Sequence, residues 1–158
     1  MNWLEVCEHP DLQNLPFKIE LDETGKIIMS PTKVYHSIYQ GEIAYQLRVL
    51  SPTGKTLVEC AIATRKGTKV AGVAWASPER LATIWSEIEC SIAPELCVEV
   101  LSSTNTRQEM QAKRQLYFER GALEVWLCDA EGKLIFFNPA GELARSALFP
   151  DFPTQLER

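Results

Sequence analysis

The pattern of apolar and polar positions predicts short strands along most of the chain. The segments FKIEL and KIIMS flank the turn residues DETG, which is typical of a β-hairpin. Residues 56–63 alternate between apolar and polar types, and residues 70–76 form a second apolar segment after the connection RKGT. We expect these two segments to pair as antiparallel strands. Three further strands are predicted at ELCVEVLSS, LEVWLCD and KLIFFN.

Helical periodicity marks two longer segments. The apolar residues of HSIYQGEIAYQLRVL recur at helical spacing: Tyr39, Ile43, Leu47 and Leu50. A second helix is predicted from the capping box TRQE to about Arg120, with Gly121 ending it. Shorter helical segments are expected within residues 1–16 and around PERLATIWSEI. This order predicts the α/β (α+β) class, with a mixed central sheet flanked by helices, an N-terminal hairpin and one domain over residues 1–158.

Composition and charge describe an ordinary acidic protein. The chain has 158 residues, 46% of them hydrophobic and 23% charged, with a formal net charge of −5. Such a chain has no overall electrostatic attraction to nucleic acid, although a local basic patch remains compatible with it. No apolar run is long enough to span a membrane, and Glu5 and Glu8 interrupt the start where a signal peptide would be apolar. We therefore expect a cytoplasmic protein without a membrane span.

Cysteines and tryptophans favour core packing over special chemistry. The five cysteines are odd in number and contain no C-x-x-C pair. Cys60, Cys97 and Cys128 lie in apolar runs and are interpreted as small buried hydrophobic residues rather than metal ligands. The chain also has four tryptophans: Trp3, Trp75, Trp85 and Trp126. Core packing is their favoured role, and a self-associating surface that makes a homo-oligomer is the alternative.

A glycine interrupts the apolar strand KVAGVAWAS. Gly72 lies in the middle of this segment, where a residue without a side chain packs nothing and weakens the strand. Such a glycine marks a bulge or the close approach of another group.

Three ionisable residues lie among apolar neighbours. Glu99, within CVEVL, is either solvated on an open face, held in a structural ion pair, or bound to a cation. Lys113 lies in the apolar row of the second long helix and either extends to water or meets a buried anion. A helix packed on its preceding strand would bring Glu99 and Lys113 together. His36 shares a helix face with Ile43 and Leu47, where a structural role is commoner than a catalytic one.

Several of these segments, taken in order, resemble a known family. The segments are FKIELDETGKIIMSPTKVYHS, GTKVAGVAWAS, PELCVEVLSSTNT, KRQLYFERGALEVWLCDAEGKLIFF and LFPDFP. From about Phe17 to Pro153 they are similar to the prokaryotic family of restriction-endonuclease-like proteins, within the PD-(D/E)-x-K nuclease superfamily. The resemblance implies a restriction-endonuclease-like core, in which a mixed four-stranded sheet lies between two helices and carries an added hairpin.

The resemblance also implies metal-dependent cleavage of DNA. In active members an aspartate on the second core strand and a glutamate on the third hold Mg²⁺ or Mn²⁺, which polarises a phosphodiester and activates a water. Glu99 matches the family glutamate. Lys113 matches a helix lysine that substitutes for the superfamily lysine, whose usual place is occupied by Leu101. His36 matches a histidine that is frequent at the start of the first core helix.

One position departs from the family pattern. The metal-binding aspartate matches Gly72, which supplies no ligand. The sequence therefore predicts either a DNA endonuclease with impaired or lost activity, or an inactive nuclease fold retained as a DNA- or protein-binding module. Glu59, on the neighbouring strand, is a candidate replacement for the missing aspartate, depending on the register of the turn between the strands.

Overall fold

A six-stranded mixed sheet forms the centre of the protein, and a separate two-stranded hairpin lies beside it. The computed structural model describes residues 1–158. The hairpin pairs β1 (Phe17–Leu21) with β2 (Ile27–Pro31). The central sheet follows chain order from edge to edge: β3 (Lys55–Thr64), β4 (Gly67–Ala76), β5 (Leu96–Val100), β6 (Glu124–Cys128), β7 (Leu134–Asn138) and β8 (Gly141–Leu143). All neighbouring pairs are antiparallel except β5 and β6, which are parallel.

Four helices surround this sheet: α1 (Trp3–Glu8), α2 (Val34–Leu50), α3 (Pro78–Ile84) and α4 (Arg107–Glu119). A 3₁₀ turn follows α1 at Pro10–Leu12. The predicted capping box of α4 is confirmed, because Thr106 Oγ1 accepts from the Glu109 amide at 3.1 Å and Glu109 Oε2 accepts from the Thr106 amide at 3.3 Å. No helix combines the length and the apolar composition needed to cross a membrane.

Alternation along the strands separates the interior into two cores. Val98 faces the core that α2 covers with Tyr39, Ile43 and Leu47, while Cys97 faces the core that contains Tyr117 of α4. These layers explain the apolar runs of β5 and β6, because both faces of the central strands are buried. The fold class expected from the sequence, a mixed sheet flanked by helices with an N-terminal hairpin, is confirmed.

The β1–β2 hairpin is held against β4 by polar contacts. Glu20 Oε2 accepts a hydrogen bond from the Val70 amide at 2.6 Å, and Lys69 Nζ donates to the Leu21 carbonyl at 2.8 Å. These contacts place one face of β1, which carries Lys18 and Glu20, over the middle of the sheet.

Three details of the sequence interpretation are wrong or incomplete. Periodicity places Leu50 on the buried face of α2, but this residue lies in the last turn and is 39% exposed. Core packing is wrong for Trp85, which lies just beyond α3 and is 69% exposed, whereas Trp126 is fully buried. The short strand β8 is missed, because three residues carry too little periodicity to identify a strand. The expected burial of Cys60, Cys97 and Cys128 is confirmed.

Candidate functional site

Glu99 is a buried carboxylate held by two lysines and a tyrosine. It is 4% exposed at the middle of the sheet. Its Oε1 accepts from Tyr117 Oη at 2.6 Å and lies 3.2 Å from Lys113 Nζ, and its Oε2 accepts from Lys18 Nζ at 3.1 Å. Burial alone would raise the pKa of Glu99, but the Lys113 and Lys18 ammonium groups and the Tyr117 hydrogen bond lower it to about 2. Glu99 is therefore charged, and both of its oxygens are occupied.

Lys113 lies between two carboxylates. Its Nζ is 3.2 Å from Glu99 Oε1 and 2.9 Å from Glu20 Oε2. Burial would lower the pKa of Lys113, but the two carboxylates raise it above its ordinary value. The expected meeting of Glu99 with Lys113 is confirmed, and Lys113 pairs with buried anions rather than extending to water.

Lys18, Glu20 and Tyr117 complete this cluster, and the sequence interpretation misses all three. Lys18 and Glu20 are two residues apart on β1, so both point to the face of the hairpin that covers the sheet. Local pattern does not say which face of a hairpin docks on a sheet, so these two residues read as ordinary surface charges. Tyr117 belongs to the apolar row with Lys113, and the signal in the sequence is that a buried tyrosine hydroxyl needs an acceptor.

The Gly72 position faces the side chain of Gln40. A Cβ atom built on Gly72 would collide with Gln40 Nε2, at the flexible end of that side chain. Gln40 in turn donates to Glu59 Oε1 at 3.2 Å. The amide of Gln40 therefore takes the space into which a side chain at position 72 would extend.

Glu59 lies directly across from Gly72 in the β3–β4 register. Val58 pairs with Val73 and Cys60 with Ala71 on either side of this position. Glu59 has a φ of +56°, an uncommon conformation for a residue with a side chain. Burial raises the pKa of Glu59, while Lys18 and the Gln40 hydrogen bond oppose this. The register that the sequence left open is thus fixed. Glu59 is hydrogen-bonded to Gln40 rather than to a member of the cluster, and it lines a separate groove together with Cys60 and Cys90.

His36 occupies the first turn of α2, on the wall of a cleft that opens over the cluster. Its Nδ1 accepts from the Lys33 amide at 2.9 Å, which satisfies a backbone donor at the start of the helix. Its ring stacks on Tyr35 with centroids 4.3 Å apart. Burial lowers the pKa of His36, so the ring is neutral near pH 7. The structure therefore gives His36 a helix-capping role, and a catalytic role for it stays a prediction.

A cleft of about 720 Å³ opens over the cluster between the hairpin, α2 and α4. Among the charged residues that line this cleft, lysines outnumber glutamates. The lysines are Lys18, Lys33, Lys66, Lys69 and Lys113, and the glutamates are Glu20, Glu99 and Glu109. The cleft is thus locally basic in a chain whose net charge is −5. The charge of this cleft therefore differs in sign from the charge of the whole chain.

Comparison with known proteins identifies the family. The family model Uma2, described as "Putative restriction endonuclease", matches residues 4–153. The chain belongs to this family. Among solved structures, a putative nuclease of the DUF820 group from Anabaena variabilis matches with a TM-score of 0.70 and 19% identity, covering 92% of this chain and 90% of that one. At this identity the likeness shows the fold. None of the curated proteins matches the chain significantly.

The side chains of this family member do not fit the Mg²⁺ site that the resemblance implies. No three His, Cys, Asp or Glu residues lie close enough together to hold a metal ion. Position 72 supplies no ligand, and both oxygens of Glu99 are bound to lysine or tyrosine donors. Mg²⁺ usually keeps several bound waters and is held by one or two carboxylates whose oxygens are free to bind it. The lysine ammonium groups instead supply the positive charge that balances these carboxylates.

The stability of the fold should depend on the ionisation of Glu99. Its pKa of about 2 in the folded protein lies below the ordinary value of 4.5, so its contribution is fully present above about pH 4.5 and is lost as the pH falls towards 2. We expect the unfolding free energy of the native protein to fall more steeply over this range than that of Glu99→Gln. Urea denaturation at several pH values measures this difference.

Glu119→Gln is the matched control, because Glu119 pairs with Arg65 at the exposed surface. Its pH dependence should follow that of the native protein closely. Parallel curves for Glu99→Gln and the native protein would show that Glu99 is not stabilised in its charged form.

Proposed function

We propose that this chain is a restriction-endonuclease-family protein that binds the phosphate backbone of DNA in its lysine-lined cleft and has lost Mg²⁺-dependent hydrolysis. The observation that carries this proposal is the position of Lys18. Its ammonium group lies 3.1 Å from Glu99 Oε2, next to a strand in which Gly72 offers no carboxylate. A cation built into the chain thus neutralises the carboxylate that the resemblance assigns to the metal.

Loss of the metal removes the chemistry that a phosphodiesterase of this kind depends on. Mg²⁺ would supply Lewis-acid polarisation of the phosphodiester and activation of a water molecule. Lys113 cannot act as a general base for a water molecule, because Glu99 and Glu20 raise its pKa and keep it charged. Glu99 at a pKa of about 2 is a weak base near pH 7. The cluster therefore holds charge without being able to activate a nucleophile.

Binding of phosphate requires accessible cations but neither a metal ion nor an activated water molecule. Lys18 and Lys113 are engaged with Glu99 and Glu20, whereas Lys33 and Lys66 lie exposed on the walls of the cleft and form no ion pair. Exposed lysines of this kind bind backbone phosphates without reading sequence. The geometry thus supports sequence-independent affinity for DNA that weakens with salt.

Charge reversal on the cleft wall should weaken DNA binding strongly. We expect Lys33→Glu with Lys66→Glu to lower the affinity for a short duplex by about tenfold or more at low salt, because two phosphate contacts become repulsive. Fluorescence anisotropy at several salt concentrations measures this loss and the smaller salt dependence that accompanies it.

Lys133→Glu is the control, because Lys133 is exposed in the β6–β7 turn and does not line the cleft. Equal losses for the control and the cleft variant would place binding elsewhere. Absence of DNA binding by the native protein would favour a module that binds protein alone. Mg²⁺- or Mn²⁺-dependent cleavage that disappears in Glu99→Ala would instead establish an active endonuclease.

A further inference from the structure

Two thiols lie side by side at the free edge of the six-stranded sheet. Cys60 belongs to the edge strand β3, and Cys90 follows α3. Their sulfur atoms are 3.6 Å apart, and the residues are only 6% and 7% exposed. Neither thiol takes part in the carboxylate cluster. This pair is therefore a separate chemical feature of the molecule.

Backbone hydrogen bonds fix the relative position of the two cysteines. The Cys90 amide donates to the Ala61 carbonyl at 2.8 Å, and the Ala63 amide donates to the Cys90 carbonyl at 2.9 Å. Cys90 is thus attached to β3 as a short parallel bridge. A disulfide bond length is about 2.05 Å, so the sulfur atoms, now 3.6 Å apart, need to approach by about 1.5 Å.

A groove gives small molecules access to the pair. Cys60 and Cys90 both line a groove of about 400 Å³, whose rim includes the exposed side chains of Val58, Trp85 and Ile88. A small neutral oxidant can therefore reach sulfur atoms that larger reagents reach poorly. By contrast, Cys97 is fully buried in the hydrophobic core, and its thiol donates to the Pro94 carbonyl.

We propose that Cys60 and Cys90 form an oxidative modification site, which hydrogen peroxide converts to an intramolecular disulfide. In the first step one of the two thiols attacks a peroxide oxygen as its thiolate, the O–O bond breaks, and the departing hydroxide takes up the proton released by that thiol. In the second step the neighbouring sulfur attacks the resulting sulfenic acid, the S–O bond breaks, and hydroxide leaves with the proton of the second thiol as water. Two thiols lose two electrons and two protons, and one peroxide becomes two waters.

The two thiols share one hydrogen bond, in which either sulfur can be the donor. The thiolate is the nucleophile in such reactions. Because the two sulfur atoms are in contact, whichever thiol is oxidised first is attacked by its neighbour, and both orders give the same disulfide.

The disulfide would tie the segment after α3 covalently to the edge strand. A crosslink between residues 30 positions apart restricts the unfolded chain and raises the midpoint of thermal unfolding by several degrees. Oxidation would thus stiffen the wall of the groove without adding a new contact to the carboxylate cluster.

Peptide mapping tests the proposal directly. The full-length Cys7→Ser protein removes the exposed thiol and serves as background. After treatment with hydrogen peroxide and alkylation, we expect a non-reducing digest to contain one linked peptide pair joining Cys60 to Cys90, with Cys97 and Cys128 alkylated only after denaturation. Thermal unfolding should shift upward and return to its starting value on reduction.

Single variants test the pairing. In Cys60→Ser and in Cys90→Ser the disulfide cannot form, so the linked peptide pair and the upward shift of thermal unfolding after peroxide treatment should both be absent. The native mapping result stands even if a variant fails to fold. Peroxide that leaves Cys60 and Cys90 as free thiols, or links either of them to another cysteine, would overturn the proposal.

Discussion

Replacing Lys113 with methionine is expected to lower the free energy of unfolding by about 3–5 kcal/mol, because the change leaves buried carboxylates without their shared cation. Lys113 Nζ contacts Glu99 Oε1 and Glu20 Oε2 at 3.2 and 2.9 Å. Lys18 still pairs with Glu99 in this variant, but Glu20 keeps only the Val70 amide. Methionine fills most of the volume of the lysine side chain. The loss of unfolding free energy therefore arises from the missing positive charge rather than from a cavity.

Urea unfolding at pH 7 measures the effect. Lys66→Met is the control, because Lys66 is exposed and unpaired, and its change should stay within about 0.5 kcal/mol. Adding Glu20→Gln to Lys113→Met should recover part of the lost stability. This second change removes the charge of Glu20, which has no cationic partner once Lys113 is replaced. A loss for Lys113→Met no larger than that of the control would mean that the cluster contributes little to the fold.

The second large effect is a gain of metal binding. Gly72→Asp returns a carboxylate to β4, and Lys18→Met removes the ammonium group from Glu99 Oε2. We expect the double variant to bind Mn²⁺, because the introduced aspartate and Glu99 then offer free oxygens to a cation that needs at least one or two carboxylates. The side chain at position 72 requires only that the flexible end of Gln40 shift.

The single variants show whether Mn²⁺ binding is limited more by the missing carboxylate at position 72 or by the pairing of Lys18 with Glu99. With Gly72→Asp alone, Lys18 still occupies Glu99, so we expect weaker binding than in the double variant. With Lys18→Met alone, Glu99 has a free oxygen but position 72 has none, so we expect little binding. Replacing Gly72 with asparagine beside Lys18→Met keeps the size of the side chain and removes the charge, which makes it the matched control. Equal Mn²⁺ binding by the asparagine and aspartate versions would show that the restored carboxylate is not the ligand.

Local sequence pattern is sufficient for the elements and for part of the site. Hydrophobic periodicity identifies α2, and the capping box TRQE with Gly121 identifies α4. The alternation of residues 56–63 and the apolar segment 70–76 identify the β3–β4 pair. The pairing of Glu99 with Lys113 is predictable, because ionisable residues in apolar surroundings need partners. These conclusions depend on neighbouring residues in the chain, or on consecutive elements that pack together.

The remainder of the site depends on contacts between distant segments. Lys18 is 81 residues from Glu99 in sequence, and Glu20 is 93 residues from Lys113. The docking of β1 on β4 brings these pairs together, and no local period encodes it. Glu59 is a candidate from the sequence, but its position across from Gly72 requires the register of the turn. Gly72 itself signals a missing ligand only through the family resemblance.

Calorimetric titration of the native protein with Mn²⁺ tests the central claim most directly. If Lys18 and Lys113 supply the positive charge that balances Glu99 and Glu20, the native protein should show no saturable binding at millimolar Mn²⁺, while the double variant Gly72→Asp with Lys18→Met binds under the same conditions. Saturable binding of Mn²⁺ by the native protein, abolished by Glu99→Gln, would contradict the claim.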